Sequence, residues 1–171
     1  MADVWNVVST VIGVGGVGVA VASLWIPHRR AVRADQEATD RVAMAAQGRA
    51  SLVTASVPWS SSTTLDVCIT NGGMSPIGDV EILDVRQAPS PGVVGWRLNP
   101  NIRPNAKTAC ILQPQETLTA RVQLIDPLSE PVRPAPDARL VIVFGFRDAE
   151  GQWWKREIGK PPQPWEARSV S

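Results

Sequence analysis

The feature that most constrains this chain is an apolar run over residues 4–26, with Trp5 at one end, Trp25 at the other and His28, Arg29 and Arg30 directly after it. The two indoles are twenty residues apart, about 30 Å of helix at roughly 1.5 Å per residue. That is the thickness of the hydrocarbon core of a bilayer, about 30 Å. Indole rings favour the headgroup level, so the spacing predicts one membrane-spanning helix anchored by Trp5 and Trp25. A cleaved leader would open on positive charge and carry a shorter apolar core. Here only Asp3 precedes the run, and the arginines follow it. Arg29, Arg30 and Arg33 on the carboxyl flank place the amino terminus outside and the rest of the chain in the cytoplasm, by the positive-inside rule.

Within the same run, Gly13, Gly15 and Gly18 fit the pattern G-x-G-x-x-G. In a dinucleotide site those glycines sit between a strand and a helix of a parallel βαβ unit. Pro27, His28 and arginines stand where the second strand would be, and no strand–helix alternation follows, so no nucleotide cofactor is expected. Two readings of the small residues stay open. Ser9 with Gly13 and Gly16 with Ala20 are small-x-x-x-small pairs that let helices pack closely in lipid, against a second copy or another membrane protein. Alternatively, glycine and valine simply fill a weakly apolar span.

Beyond the run lie all 17 Lys and Arg and 15 of the 16 acidic residues, a net charge of about +2. That is too weak a field for a nucleic-acid footprint, so nucleic acid is not among the expected partners. Pro27 marks the exit from the bilayer. Residues 31–47 are rich in Ala and charge, contain no Pro or Gly, and end at Gly48, which predicts a helix of four or five turns. Its apolar face (Val32, Ala38, Val42, Ala45, Ala46) is thin, which suits a solvated stalk.

After Gly48 the texture changes to short period-two segments separated by Pro, Gly, Asn and Ser. Strands are predicted over 51–57, 64–70, 79–86, 93–98, 108–112, 117–125, 139–147 and 152–158. The alternation of Val80 and Ile82 slips before Val85. The continuous apolar run of 139–146 predicts a central strand. Asp148-Ala-Glu-Gly151 reads as a hairpin turn with glycine at a position that often needs positive φ. So many short strands in about 110 residues point to an antiparallel β-sandwich, immunoglobulin- or fibronectin-like in outline. The expected organisation is a transmembrane anchor (1–27), a helical juxtamembrane stalk (28–48), a β-sandwich domain (49–159) and a Pro-rich tail (160–171) that is extended or disordered.

Two segments then carry a resemblance. Phe146-Arg-Asp148-Ala-Glu-Gly151-Gln-Trp-Trp154-Lys-Arg156 has the form F-x-D-x-x-G-x-x-W-x-R, and Asn71-Gly-Gly73-Met-Ser-Pro76 is followed by Asp79-Val-Glu-Ile. Behind an N-terminal span, this combination resembles small single-pass membrane proteins of actinobacteria with a C-terminal β-sandwich of unassigned function. The resemblance implies the same architecture and brings no catalytic residues. Those domains often carry Pro-Gly-Glu before the fifth or sixth strand, where this chain has Pro114-Gln-Glu116. In the hairpin motif, Asp148 is suited to accept turn N–H groups, Gly151 to supply permissive backbone, Trp154 to bury aromatic surface, and Arg156 to pack its stem or pair with an acid. Trp153 alternates to the opposite face, where it is available to a partner.

Candidate chemistry is sparse. The only histidine, His28, lies beside the membrane segment, so the domain has no Ser/His or Cys/His pair and no His-based zinc site. Cys68 and Cys110 sit in strand-like apolar contexts and read as buried free thiols. Asp66, Asp79, Glu81, Asp84 and Glu116 are scattered, with no calcium-loop spacing. No catalytic residue, metal or cofactor is expected. At least one of Trp59 and Trp96 is wanted for a core with only two Phe, unless, with Trp153, they form a partner surface. The expectation is a membrane-tethered, non-enzymatic interaction module or accessory subunit of a membrane complex. The alternative is an extracytoplasmic glycan- or envelope-binding domain on the same anchor.

Overall fold

A computed structural model describes residues 32–58, 63–88, 92–135 and 138–166. The predicted anchor, with Trp5, Trp25, Arg29, Arg30, Ser9, Gly13, Gly16 and Ala20, lies outside the described residues, as does Trp59. No helix among the described residues is long and apolar enough to cross a membrane. The chain divides into two compact units, Met1–Ala45 and Ala46–Ser171.

Helix α1 occupies residues 32–50. From 32 to 45 every residue is exposed, in keeping with the Ala- and charge-rich sequence, and Arg41 pairs with Glu37 one turn earlier at 3.6 Å. The helix does not stop at Gly48, as its sequence suggests. A glycine there meets open space. The Ser51 N–H still bonds the Gln47 carbonyl at 3.0 Å, and Ala50 is buried in the core of the second unit. Burial of that last turn outweighs the modest helix penalty of glycine, about 1 kcal/mol.

The second unit is mainly β, with two antiparallel sheets around one hydrophobic core, a sandwich-like arrangement. The strands are β1 Val53–Ser56, β2 Leu65–Asn71, β3 Ile77–Ala88, β4 Gly95–Leu98, β5 Thr108–Leu112, β6 Thr117–Ile125, β7 Pro131–Val132, β8 Arg139–Arg147, β9 Trp153–Glu157 and β10 Gln163–Pro164. The first sheet runs β1-β2-β6-β4, with β7 on β6, and the second runs β10-β9-β8-β3-β5. All eight predicted strands have counterparts; β7 and β10 were not anticipated. Residues 160–166 are therefore not a free extension, because they return to the sheet and add β10 beside β9.

Side-chain period explains the two faces. Leu65, Val67 and Ile69 of β2 and Ala120, Val122 and Leu124 of β6 point inward and are fully covered. β8 is central, as its apolar sequence demands, and packs Phe144 and Phe146 into the core. The slip before Val85 is a register shift against β8: Ile82 stands opposite Phe144 and Asp84 opposite Val143, so Leu83 is the extra residue. A second irregularity, between Gly78 and Glu81, puts Asp79 at φ 49°. Such bulges re-aim side chains, and here they matter for the outer face.

Asn71 ends β2 at an inward position and is completely buried. Its Nδ2 donates to the carbonyls of Ser75 at 2.9 Å and Leu112 at 3.1 Å, and its Oδ1 accepts the Gly73 N–H at 3.0 Å. Its backbone bonds Glu116 and Gln115. One carboxamide thus ties together β2, the 72–76 turn and the end of β5. Gln115 holds φ 66°, the left-handed backbone that a Pro-Gly-Glu turn would give to glycine. The turn is kept without glycine, with Glu116 Oε2 accepting the Gln113 N–H at 2.8 Å.

Two stability outcomes follow, each measured by denaturant unfolding of the full chain in detergent. Asn71→Ala removes three hydrogen bonds, leaves the buried Leu112 carbonyl without its side-chain partner, and is expected to destabilise by about 2 kcal/mol. Gln115→Gly removes a left-handed strain of about 1–2 kcal/mol against a larger unfolded-state entropy, for a net gain of about 0.5 kcal/mol.

Candidate functional site

The β8–β9 hairpin builds the most distinctive surface. Asp148 accepts the N–H groups of Glu150 at 3.0 Å and Gln152 at 2.9 Å on Oδ1. Its Oδ2 accepts the Trp154 indole N–H at 2.8 Å. Gly151, at φ 86°, closes the turn. These bonds aim Trp154 inward, where only 3% of it is exposed. Arg156, on the same side, pairs with no acid among the described residues. Its Nη1 donates to the carbonyls of Ser51 and Val53 at the start of β1, and so joins the two sheets. Burial pushes its guanidinium below the usual value.

With Trp154 inward, Trp153 faces out and is half-buried. Arg147, opposite it on β8, lies over its ring at 5.9 Å from the centroid, a cation–π distance. Arg147 is held in turn by Asp79 at 2.8 Å, the left-handed residue of the β3 bulge. On the other side, Trp165 meets Trp153 edge-on, with ring centroids 5.9 Å apart and planes at 89°. Its backbone N–H bonds the Trp153 carbonyl at 2.9 Å.

Trp165 lies over Gly145. A Cβ at residue 145 would stand 2.5 Å from Cζ3 of that ring, so only glycine allows the contact. An open groove of about 920 Å³ extends from the two indoles past Leu83, Lys155 and Glu81 to Thr108 and Cys110 on β5. Beside it, a smaller hollow is lined by Arg86, Glu157 and Lys160. Glu157 is held below the usual carboxylate range chiefly by its hydrogen bond to Lys160, against a smaller opposing effect of burial, with added attraction from Lys160, Arg86 and Arg139.

Of the expected partner-surface residues among those described, Trp153 lines this groove and Trp96 does not. Trp96 lies on the other sheet, opposite Leu124, and packs partly against the core. The cysteines are not the buried thiols expected. Both are free, Cys68 half-buried on the outer side of β2 and Cys110 exposed on β5. Their neighbours Val67, Ile69 and Leu112 take the core positions. The scattered carboxylates are engaged locally: Asp66 with Arg121, Glu81 with Lys107, Asp84 with Arg86 and Glu116 with its own turn. Among the described residues, no three His, Cys, Asp or Glu stand close enough to hold a metal ion.

Sequence reasoning missed Trp165, Arg147, Asp79 and Gly145 as parts of one surface. Two signals were present. Gly145 is a lone glycine inside an apolar strand, which marks close approach of another group. Trp165 is a large aromatic in a Pro-rich segment that a free tail would not need.

The surface offers indole faces, a charge-neutralised guanidinium, a hydroxyl and a thiol. That set suits recognition through stacking and hydrogen bonding. The charge around Glu157 is open to direct test. A depressed carboxylate pKa contributes stability above the ordinary carboxylate range and loses it as pH falls through the folded value. Lys160→Met is expected to raise the Glu157 pKa toward the usual range and to narrow that acid-sensitive window, as read by NMR titration of the side-chain carboxyl carbon.

No protein-family model matches the chain, no curated protein matches it, and no solved structure matches it.

Proposed function

We propose that this chain is a membrane-tethered, non-enzymatic interaction module or accessory subunit of a membrane complex. Its domain is an immunoglobulin- or fibronectin-like sandwich on the cytoplasmic side. The carrying observation is the outward Trp153, stacked by Arg147 and flanked by Trp165 at the head of an open groove. Aromatic residues and arginine are the types enriched where proteins bind one another. The strand order β1-β2-β6-β4 facing β9-β8-β3-β5 supports the fold assignment. It matches the four-plus-three outline of the constant-type sandwich. Here β5 is an added strand, reached after β4 has already crossed to the first sheet.

The tether rests on the Trp5–Trp25 run and its arginine flank. The solvated helix 32–45 supplies a stalk of about 20 Å at 1.5 Å per residue, and its full exposure supports that role. The small-residue face of the span (Ser9, Gly13, Gly16, Ala20) is the second contact surface, toward a membrane protein or a second copy.

Cys110 gives a direct test, since its thiol is exposed without unfolding. The full chain is expected to sediment with membranes, resist extraction by salt, and dissolve in detergent. A membrane-impermeant maleimide is expected to label Cys110 in inverted vesicles and not in intact cells. Labelling of intact cells moves the domain outside and favours an envelope- or glycan-binding role. Recovery in the supernatant without detergent overturns the tether.

A further inference from the structure

The edge of β9 is already occupied by a short piece of the same chain, and that occupant shows what the edge accepts. β10 is only two residues long, both exposed, with Gln163 opposite Lys155 and Pro164 opposite Trp154. Proline has no N–H to give to a ladder, so half of this strand is a poor pairing partner. What holds the segment is concentrated at two points. Pro162 is buried, and its carbonyl accepts Gln47 Nε2 at 3.1 Å. Trp165 bonds the Trp153 carbonyl and lays its ring over Gly145 beside Leu83.

Between these points the segment meets β9 only through Gln163 and Pro164. The aromatic seat, by contrast, is built into the body of the domain. Gly145 and Leu83 form its floor, Trp153 forms its wall, and the groove continues outward from it.

We propose that the β9 edge and the seat over Gly145 form a strand-addition site for an extended peptide carrying proline followed by tryptophan, and that Gln163-Pro164-Trp165 fills it in cis as an intramolecular plug. A partner peptide adds as a strand along β9, places its indole over Gly145, and runs on into the groove toward Thr108 and Cys110. Main-chain pairing gives affinity in such complexes, and a side-chain pocket gives specificity. The plug sits at high effective concentration, so it lowers the apparent affinity of any free peptide. This inference rests on the reading of the domain as an interaction module. Its test is a binding measurement in detergent, which membrane sedimentation and Cys110 labelling neither help nor harm.

The full chain carrying Pro164→Gly and Trp165→Ala, with its plug emptied, is titrated against a fluorescent peptide of sequence QPWEARSVS. Folding is checked by circular dichroism. Saturable binding is expected, with the wild-type chain weaker by about tenfold or more because its plug competes. Replacing the peptide tryptophan by alanine, or adding Gly145→Ala to the emptied chain, is expected to weaken binding by about tenfold. With Trp165 gone the methyl group is accommodated in the empty seat, so the second change blocks the peptide rather than the fold.

Absence of saturable binding by a folded, emptied chain overturns the proposal. So does binding indifferent to both the peptide indole and the methyl at 145. If the emptied chain does not fold, hydrogen exchange on the wild type decides. The Trp165 amide, bonded to Trp153, is expected to exchange at least about a hundredfold faster than the Ile158 amide, bonded to Ile142 in the sheet. Equal protection of the two amides means the plug never opens by itself, and overturns the proposal.

Discussion

The carboxylate of Asp148 sets the geometry on which the outer surface depends. It takes two backbone N–H groups in its own turn and the indole N–H of Trp154. With its charge spent on three donors, it fixes which face of β9 is inward. That single choice decides everything else on the strand, because side chains alternate. Trp154 and Arg156 go in, the first to the core and the second to the carbonyls of Ser51, just before β1, and Val53, its first residue. Trp153 and Lys155 go out. A one-residue slip would bury Lys155 and expose Trp154, and the bond from Asp148 to the indole penalises that slip directly. The arginine then acts across the sandwich. It supplies to β1 the donors that an edge strand lacks on its open side, and so fastens the first sheet to the second at one end.

A second theme is the use of carboxamides where backbone pairing runs out. Asn71 does this at the end of β2. Gln87, at the far end of β3, accepts the Ala135 N–H at 3.0 Å. Asn99 holds Thr64 through Nδ2 and the Asn101 N–H through Oδ1, while Asn105 bonds both main-chain groups of Arg121 on β6. Asn71, Gln87 and Asn99 are among the few buried polar residues of the domain. Each stands where the chain leaves or rejoins a sheet. Neutral amides suit this task because they donate and accept at once, and burying them carries no charge penalty.

Much of the fold was legible because period-two patterning is strong in this chain. β5, β6 and β8 have the bounds expected from sequence, and the slip near Val85 announced a bulge. Boundaries failed where tertiary contacts override local preference: α1 runs through Gly48 to reach the core, and β10 forms from residues that look like a free tail. The site was harder. Trp153 could be placed outward by alternation from Trp154. Its neighbours Arg147, Asp79 and Trp165 come from three separate segments, and no local pattern joins them. The cysteines were misplaced for a similar reason. An apolar neighbourhood in sequence contains both faces of a strand, and only the register says which one is inside.

The bond from Gln47 to Pro162 has a mechanical consequence. It links the last turn of the helix to the residue that precedes β10, so these two segments share load through one amide. The same turn pairs Arg49 with Glu150, so it is fastened both to the turn that precedes β9 and to the segment that follows it. Loosening of that turn takes from the segment that covers Gly145 one of its two fastenings and leaves it the seat of Trp165 alone.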